Sequence, residues 1–301
     1  MRGLHRCWAK VDDGRGVLVM MVPGALHVGV DKAKAPGVEE LQSKLVTSMN
    51  NVTSCTKWKI KNFKQYNGLQ CSKIPGKLKQ IDAGAGQIYG VNKDDNIFKL
   101  MGQQWKQVPG KLDHVTVGEA GIWGTNKANN IFKLQDNKWK QVSGRLKQVD
   151  AGGNKFLSGV NSGNSVFCLN QDKTVSRSTS FSYTKLDGSL KYYSCGLNGC
   201  WGITPTNDIM YRYDVKPTEC RGSHWKKVNG KLVMVEVGSD GSVYGVNSEG
   251  TAFKREGISA KMPTGNSWSR LNVPGTFRHV STDGGVVWLL NQNGDIQKCI
   301  V

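Results

Sequence analysis

The 301-residue sequence is short of histidine, of negative charge and of long apolar stretches, and each shortage removes a class of protein. No apolar run approaches the ~18 residues that a membrane-spanning helix needs. Of the five histidines, only His114, His224 and His279 lie beyond residue 70, and they have no metal-ligand spacing. They read as strand or turn residues, so no metal centre is expected. No catalytic constellation emerges either. Asp82-Ala-Gly-Ala-Gly lacks both the spacing and the following helix of a dinucleotide site. Asp82, Asp150 and Glu236 recur at one repeated position; paired carboxylates can hydrolyse glycosides, but residues related by rotation around a ring read more simply as structural polar groups. The expectation is a protein that is not an enzyme and needs no cofactor, and no motif reports on calcium.

Glycine is plentiful instead, at 37 residues, with hydrophobics at 38%. The stretch Lys111–Trp139 shows how they are used: LDHVTVG, then IWGTN, then IFKL, each alternating apolar and polar residues and each stopping at Gly or Asn. Short antiparallel strands with tight turns have this pattern. The unit recurs as LKQIDAG from Leu78, LDHVTVG from Leu112, LKQVDAG from Leu146, LKYYSCG from Leu190, LVMVEVG from Leu232 and FRHVSTD from Phe277. A period of roughly 34 to 45 residues with three or four strands per unit indicates a propeller.

Two anomalies at the ends of this array explain each other. CSKIPG, from Cys71, matches the fourth-strand segments WKQVPG, WKQVSG and WKKVNG, yet it precedes the first unit. The last unit has only three strands. A six-bladed β-propeller spanning 71–301, all-β and closed by its N-terminal strand, accounts for both and leaves no loose edge. Residues 1–70 stand outside the pattern and read as an irregular extension with a short helix around Val38–Met49. Asp12, Asp13 and Pro23-Gly24 interrupt what would be a secretory leader, leaving a non-standard leader as the alternative. The one glycosylation sequon, at Asn51, lies here.

Closure would bring Cys71 beside Cys299 on neighbouring strands. Cys195 and Cys200 flank Gly196-Leu197-Asn198-Gly199 on the two arms of a turn, and Cys168 and Cys220 remain. These six of the eight cysteines allow fifteen pairings, so topology favours these pairs without fixing them, and Cys7 and Cys55, in the N-terminal region, stay unassigned. Paired cysteines would place the protein in an oxidising, extracellular compartment. Net charge is +18, from 41 Lys+Arg against 23 Asp+Glu. Lys77, Lys79, Lys99, Lys106, Lys133 and Lys140 fall singly on alternating positions and read as solvated outer faces and edge guards. The competing reading is attraction to an anionic surface such as lipopolysaccharide, sulphated glycans or nucleic acid.

WKQVPGKLKQ, IDAG, IYGVN, NIFKL, YYSCGLNGCWG and VEVGSDGSVYGVNSEG together resemble the tectonin repeats of fish-egg lectins, through nearly all of 71–301. The resemblance implies a secreted, disulfide-bonded propeller of egg or innate defence that binds N-acetylglucosamine-type and bacterial surface glycans. Family members pass almost directly from a signal peptide into the first Cys strand, whereas 70 residues stand there in this chain.

Sugar recognition needs planar amides or carboxylates for vicinal hydroxyls and an aromatic face for the pyranose. The second-to-third-strand turns repeat such groups on one face of the ring, making Asn92, Asn96, Asn126, Asn130, Asn161 and Asn247 the candidate carbohydrate-binding residues. The same residue types are what tight turns require. Trp105, Trp139, Trp225 and Trp268 open fourth strands and are assigned to packing between blades, and Trp123, Trp201 and Trp288 to packing within second strands. The alternatives to a lectin are a propeller serving as a protein–protein platform and, from charge alone, a nucleic-acid binder, which is not favoured.

Overall fold

Each repeat builds one four-stranded antiparallel sheet, and the computed structural model arranges six of them as a propeller. It describes residues 69–301 throughout, and before them only the strands Cys7–Val11, Val17–Val22 and Ala25–Gly29. Those three pair in chain order as an antiparallel sheet, so part of the stretch expected to be irregular is extended. The physical reason lies in Val17–Val22: a valine-rich apolar run has the length and composition of a central strand. Asn51 and the helix expected over Val38–Met49 lie outside the described residues. Among the described residues no helix is long and apolar enough to cross a membrane.

Blade one comprises Gln80–Gly84, Gln87–Val91, Asn96–Met101 and Gln104–Lys111, from the axis outward. The other inner strands are His114–Gly118, Gln148–Asp150, Tyr192–Gly196, Met234–Val237 and Phe277–Asp283. The sixth sheet is completed by Gln70–Lys77, which pairs with Asp295–Ile300 in a register that sets Cys71 opposite Cys299. A disulfide joins those two cysteines across 228 residues. Among the described residues the other pairs are Cys195–Cys200 and Cys168–Cys220. The last of these ties the third strand of blade three to the long segment before the fourth strand of blade four.

The core is divided among the interfaces. Six buried clusters lie between neighbouring blades; one packs Tyr89, Val91 and Ile97 of blade one on Leu112, Val115 and Val117 of blade two. The second strands are buried at successive positions, as Leu157–Val160 and Val243–Val246 show, so both their faces are covered by neighbouring blades. Trp123, Trp201 and Trp288 are buried in this way, as expected for second-strand aromatics.

Around the axis the inner strands are stitched by side chains. Backbone N–H groups of the next blade donate to Asp82 (from Val117, 2.6 Å), Thr116 (from Ala151, 2.9 Å), Asp150 (from Cys195, 2.9 Å), Ser194 (from Val237, 3.0 Å) and Ser281 (from Ala83, 2.9 Å). Gln80 and Gln148 each bond both the N–H and the carbonyl of the facing residue, Val115 and Tyr193. Such contact needs close approach. A Cβ added at Gly118 would lie 2.1 Å from the Ala151 carbonyl oxygen, a rigid backbone atom. Gly118→Ala is therefore expected to destabilise the ring by ~1–3 kcal/mol or more, read as a lowered thermal midpoint. An unchanged midpoint would mean that the inner strands are not locked together here.

Candidate functional site

The six turns between second and third strands share one construction. Their last residue, Asp95, Asn129, Asn164, Asn207, Gly250 or Gly294, has φ between 62° and 82°. Asn, Asp and Gly tolerate that left-handed conformation. The carbonyl of each accepts the N–H that opens the next blade: Leu112 on Asp95, Leu146 on Asn129, Leu190 on Asn164, Leu232 on Asn207, Phe277 on Gly250 and Leu78 on Gly294, at 2.7–3.1 Å. Every turn is thereby fixed against the loop entering the following blade, and both lie on one face of the ring.

The leading residue has a local task. Asn92 Oδ1 accepts the N–H groups of Asp94 and Asn96 at 3.0 and 2.9 Å, and Asn126 those of Ala128 and Asn130 at 3.1 and 2.9 Å. Asn161 accepts from Ser165, and Asn247 from Glu249 and Thr251. In blade four the Thr204 hydroxyl takes the role, accepting from Asp208. The oxygens of these candidate asparagines thus close their own turns, leaving the amide Nδ2 for anything else. Asn96 differs: its Oδ1 accepts from Lys111 Nζ at 2.7 Å. The equivalent residues Asp208 and Asp295 pair with Lys231 and Lys77 at 3.0 and 2.8 Å. Asn130 stands at the same position in blade two, where Arg145 reaches the Ala128 carbonyl instead.

A tectonin-domain family model matches residues 77–292. The chain belongs to the tectonin-domain family. It is also 51% identical, over 77% of its own length and 99% of the other protein's, to a fish-egg lectin of Cyprinus carpio. Among solved structures it resembles that of U3-55K, with a TM-score of 0.50 over 77% of this chain and 98% of that one. At 7% identity that likeness reports the fold alone.

The crevices between tectonin blades are not alike. A fourth-strand aromatic packs on a left-handed glycine of the preceding blade in five places: Trp105 on Gly76, Trp139 on Gly110, Tyr183 on Gly144, Trp225 on Gly188 and Trp268 on Gly230. Trp225 and Trp268 donate to the carbonyls of Asp187 and Asn229 at 2.9 and 3.0 Å, with Arg212 and Arg255 over their rings. Trp105 Nε1, Trp139 Nε1 and Tyr183 Oη are buried without a partner. The crevices leading into blades one, two and three therefore each hold an unused polar atom.

At the opposite face the inner strands converge on a small cavity of about 20 Å³ lined by Asp82, Asp150 and Glu236. Around the axis these carboxyls alternate with Thr116, Ser194 and Ser281. Burial raises Asp82 to about 6, and burial with the nearby Asp82 charge raises Asp150 to about 8. Glu236 is pushed well above the usual range by burial and by both other carboxyls. Among the described residues no group of three or more His, Cys, Asp or Glu is placed to hold a metal ion.

Lysines were the residues least legible in advance. Lys133 is buried, its ammonium over the Trp123 ring and donating to the Ser176 carbonyl at 2.9 Å, so it anchors the insertion of blade three and guards no edge. Lys79 is half-buried at the ring mouth and held by Asp95 at 2.6 Å and by Asp113. The available signal was position: Lys79, Lys147 and Lys191 each follow the Leu that opens a blade.

Proposed function

We propose that this chain is a lectin that engages glycans multivalently at equivalent mouths between its blades, on the face carrying the second-to-third-strand turns. The observation that carries the reading is the 51% identity to a fish-egg lectin across 99% of that protein. The sixfold turn-to-loop juncture supports it by repeating one set of polar groups around a rigid frame. N-acetylglucosamine-type and bacterial surface glycans, including lipopolysaccharide, are the ligand class this reading assigns, with a secreted, extracellular setting in egg or innate defence. Three disulfides among the described residues fit an oxidising compartment. Several weak sites facing one glycan-covered surface can gain ~10²–10⁴ in avidity. Catalysis forms no part of the reading.

Asn92, Asn126, Asn161 and Asn247 would contribute their amide Nδ2 groups, and Asn96 and Asn130 the outer side of the same mouths. Combining Asn96→Ala with Asn130→Ala should weaken avid binding through the loss of ~0.5–1.5 kcal/mol at each site, while the four turn-closing asparagines are left intact. The measurement is elution of the folded variant from immobilised N-acetylglucosamine by free sugar. Parent-like retention, with an unchanged circular dichroism spectrum, would move the sugar away from these positions.

A second reading, a protein-binding platform, draws on the other face. Met101, Val175, Leu197 and Met262 are exposed in or beside the first-to-second or third-to-fourth-strand connections, and exposed Ile300 ends the third strand of blade six. Displacement from chitin by free N-acetylglucosamine argues for the lectin; retention of a protein partner in saturating sugar argues for the platform.

A further inference from the structure

Five blade interfaces are filled alike and the sixth is not. At the five, an aromatic side chain of a fourth strand packs on a left-handed glycine of the preceding blade. Strand registers fix the counterpart in blade six. Trp105 faces Leu100, Trp139 faces Leu134, Trp225 faces Arg212 and Trp268 faces Arg255; at the same place Cys71 faces Cys299. The glycine itself is kept. Gly275 has φ of 120°, yet within 4 Å a Cβ there would meet only the Phe277 ring, at 3.5 and 3.8 Å.

A second change falls beside the first. Third strands carry Phe98, Phe132, Phe167, Met210 and Phe253 at one repeated position in blades one to five, each packed on an interface cluster. In blade six that position holds Gln297, opposite Lys73. Its Oε1 is buried and, among the described residues, has no partner. Where the two changes meet there is a cavity of about 280 Å³. Leu69, Val273 and Pro274 give it apolar walls, Cys71 and Gln297 line it as well, and exposed Lys73 borders it.

We propose that this cavity between blades five and six binds a small planar aromatic molecule with a donor on its ring, of the indole type, whose N–H reaches Gln297 Oε1. The other five interfaces hold such a ring of their own, indole four times and phenol once. An apolar cavity of ~150 Å³ accommodates benzene, so about 280 Å³ admits a bicyclic ring. An orphaned oxygen calls for a donor, and a terminal amide turns about its last bond to present it. A pyranose would leave hydroxyls unpaired against Leu69, Val273 and Pro274. Lys73 can lie over a ring face, as Arg212 and Arg255 do over Trp225 and Trp268. The site uses none of the turns assigned to glycans and stands whether or not the ring binds sugar.

Equilibrium dialysis of the full chain against indole, N-methylindole and N-acetylglucosamine tests it. One saturable indole site per chain is expected, undisturbed by excess N-acetylglucosamine. N-methylindole keeps the ring without the donor and should bind at least about threefold more weakly. Gln297→Leu should weaken indole by the same factor and leave N-methylindole unchanged. Gln297→Phe, which restores the side chain found in blades one, two, three and five, should abolish binding and raise the thermal midpoint. The absence of a saturable site, or parent-like indole binding by Gln297→Phe, would overturn the proposal. Equal affinity for the two indoles would overturn the donor contact, and displacement of indole by N-acetylglucosamine would overturn the aromatic ligand in favour of a sugar. Retention of Gln297→Phe on immobilised N-acetylglucosamine reports separately on the lectin reading.

Discussion

Replacing Cys71 and Cys299 together by alanine is expected to lower the free energy of unfolding by several kcal/mol, more than the loss of Cys195–Cys200 or Cys168–Cys220. Strand Gln70–Lys77 is the only part of blade six that comes from the front of the propeller, and the disulfide closes a loop with a sequence separation of 228 residues. In the chain-entropy model a loop of that length contributes roughly 5 kcal/mol, and the separation of 5 at Cys195–Cys200 about 2 kcal/mol. The loss should also change how the protein unfolds. A released fourth strand exposes the edge of Asp295–Ile300 and opens the ring at a single interface. Urea denaturation of the double variant, beside Cys195→Ala/Cys200→Ala, measures both effects. A loss under about 1 kcal/mol for the ring-closing pair would mean that backbone pairing and the blade-one contacts of Leu78 and Ile81 suffice to hold the ring.

That closure was legible in the sequence because two defects matched: a fourth-strand motif ahead of the first repeat and a missing fourth strand after the last. The turns were legible for a related reason. Asn and Gly at fixed repeat positions announce left-handed backbone, and Asp95, Asn129, Asn164, Asn207, Gly250 and Gly294 adopt it. What remained hidden was anything decided by the direction of a side chain relative to the next blade. Lys79 and Lys133 share the alternating pattern of exposed lysines such as Lys106, yet one is clasped at the mouth and the other buried under an insertion. The alternation of Asp82, Thr116, Asp150, Ser194, Glu236 and Ser281 was present in the aligned repeats. Its meaning depends on inner strands lying close enough for side chains to reach the neighbouring backbone, and periodicity within one strand carries no information about that distance. The Cys168–Cys220 link was reached only as the pair that remained, because it ties a third strand to an insertion that no repeat predicts.

The same inner ring should make the protein lose stability as pH rises above neutrality. A carboxyl whose pKa is higher folded than unfolded binds its proton better in the folded state. Its contribution is complete below about pH 4 and is given up as pH climbs through the folded value. For Asp82 that value is about 6, and the contribution is on the order of 3 kcal/mol. For Asp150 it is about 8, and Glu236 also lies well above the ordinary range. His114 and His279 act oppositely. Burial keeps them neutral down to about 3 and 4, so they cost stability as pH falls below 6.5 and are silent above it. The window from pH 6.5 to 8.5 therefore lies above the range in which the histidines respond, and the coupled carboxyls Asp150 and Glu236 should together remove stability as pH rises across it. Asp150→Asn keeps an oxygen to accept the Cys195 N–H but carries no charge, so it should flatten the profile and stabilise the ring at pH 8. The measurement is urea denaturation across this window with EDTA present, repeated with calcium. Recovery of the lost stability by calcium would place a cation among these carboxyls. If parent and Asp150→Asn fall in parallel with rising pH, the buried ring is not what responds to protons.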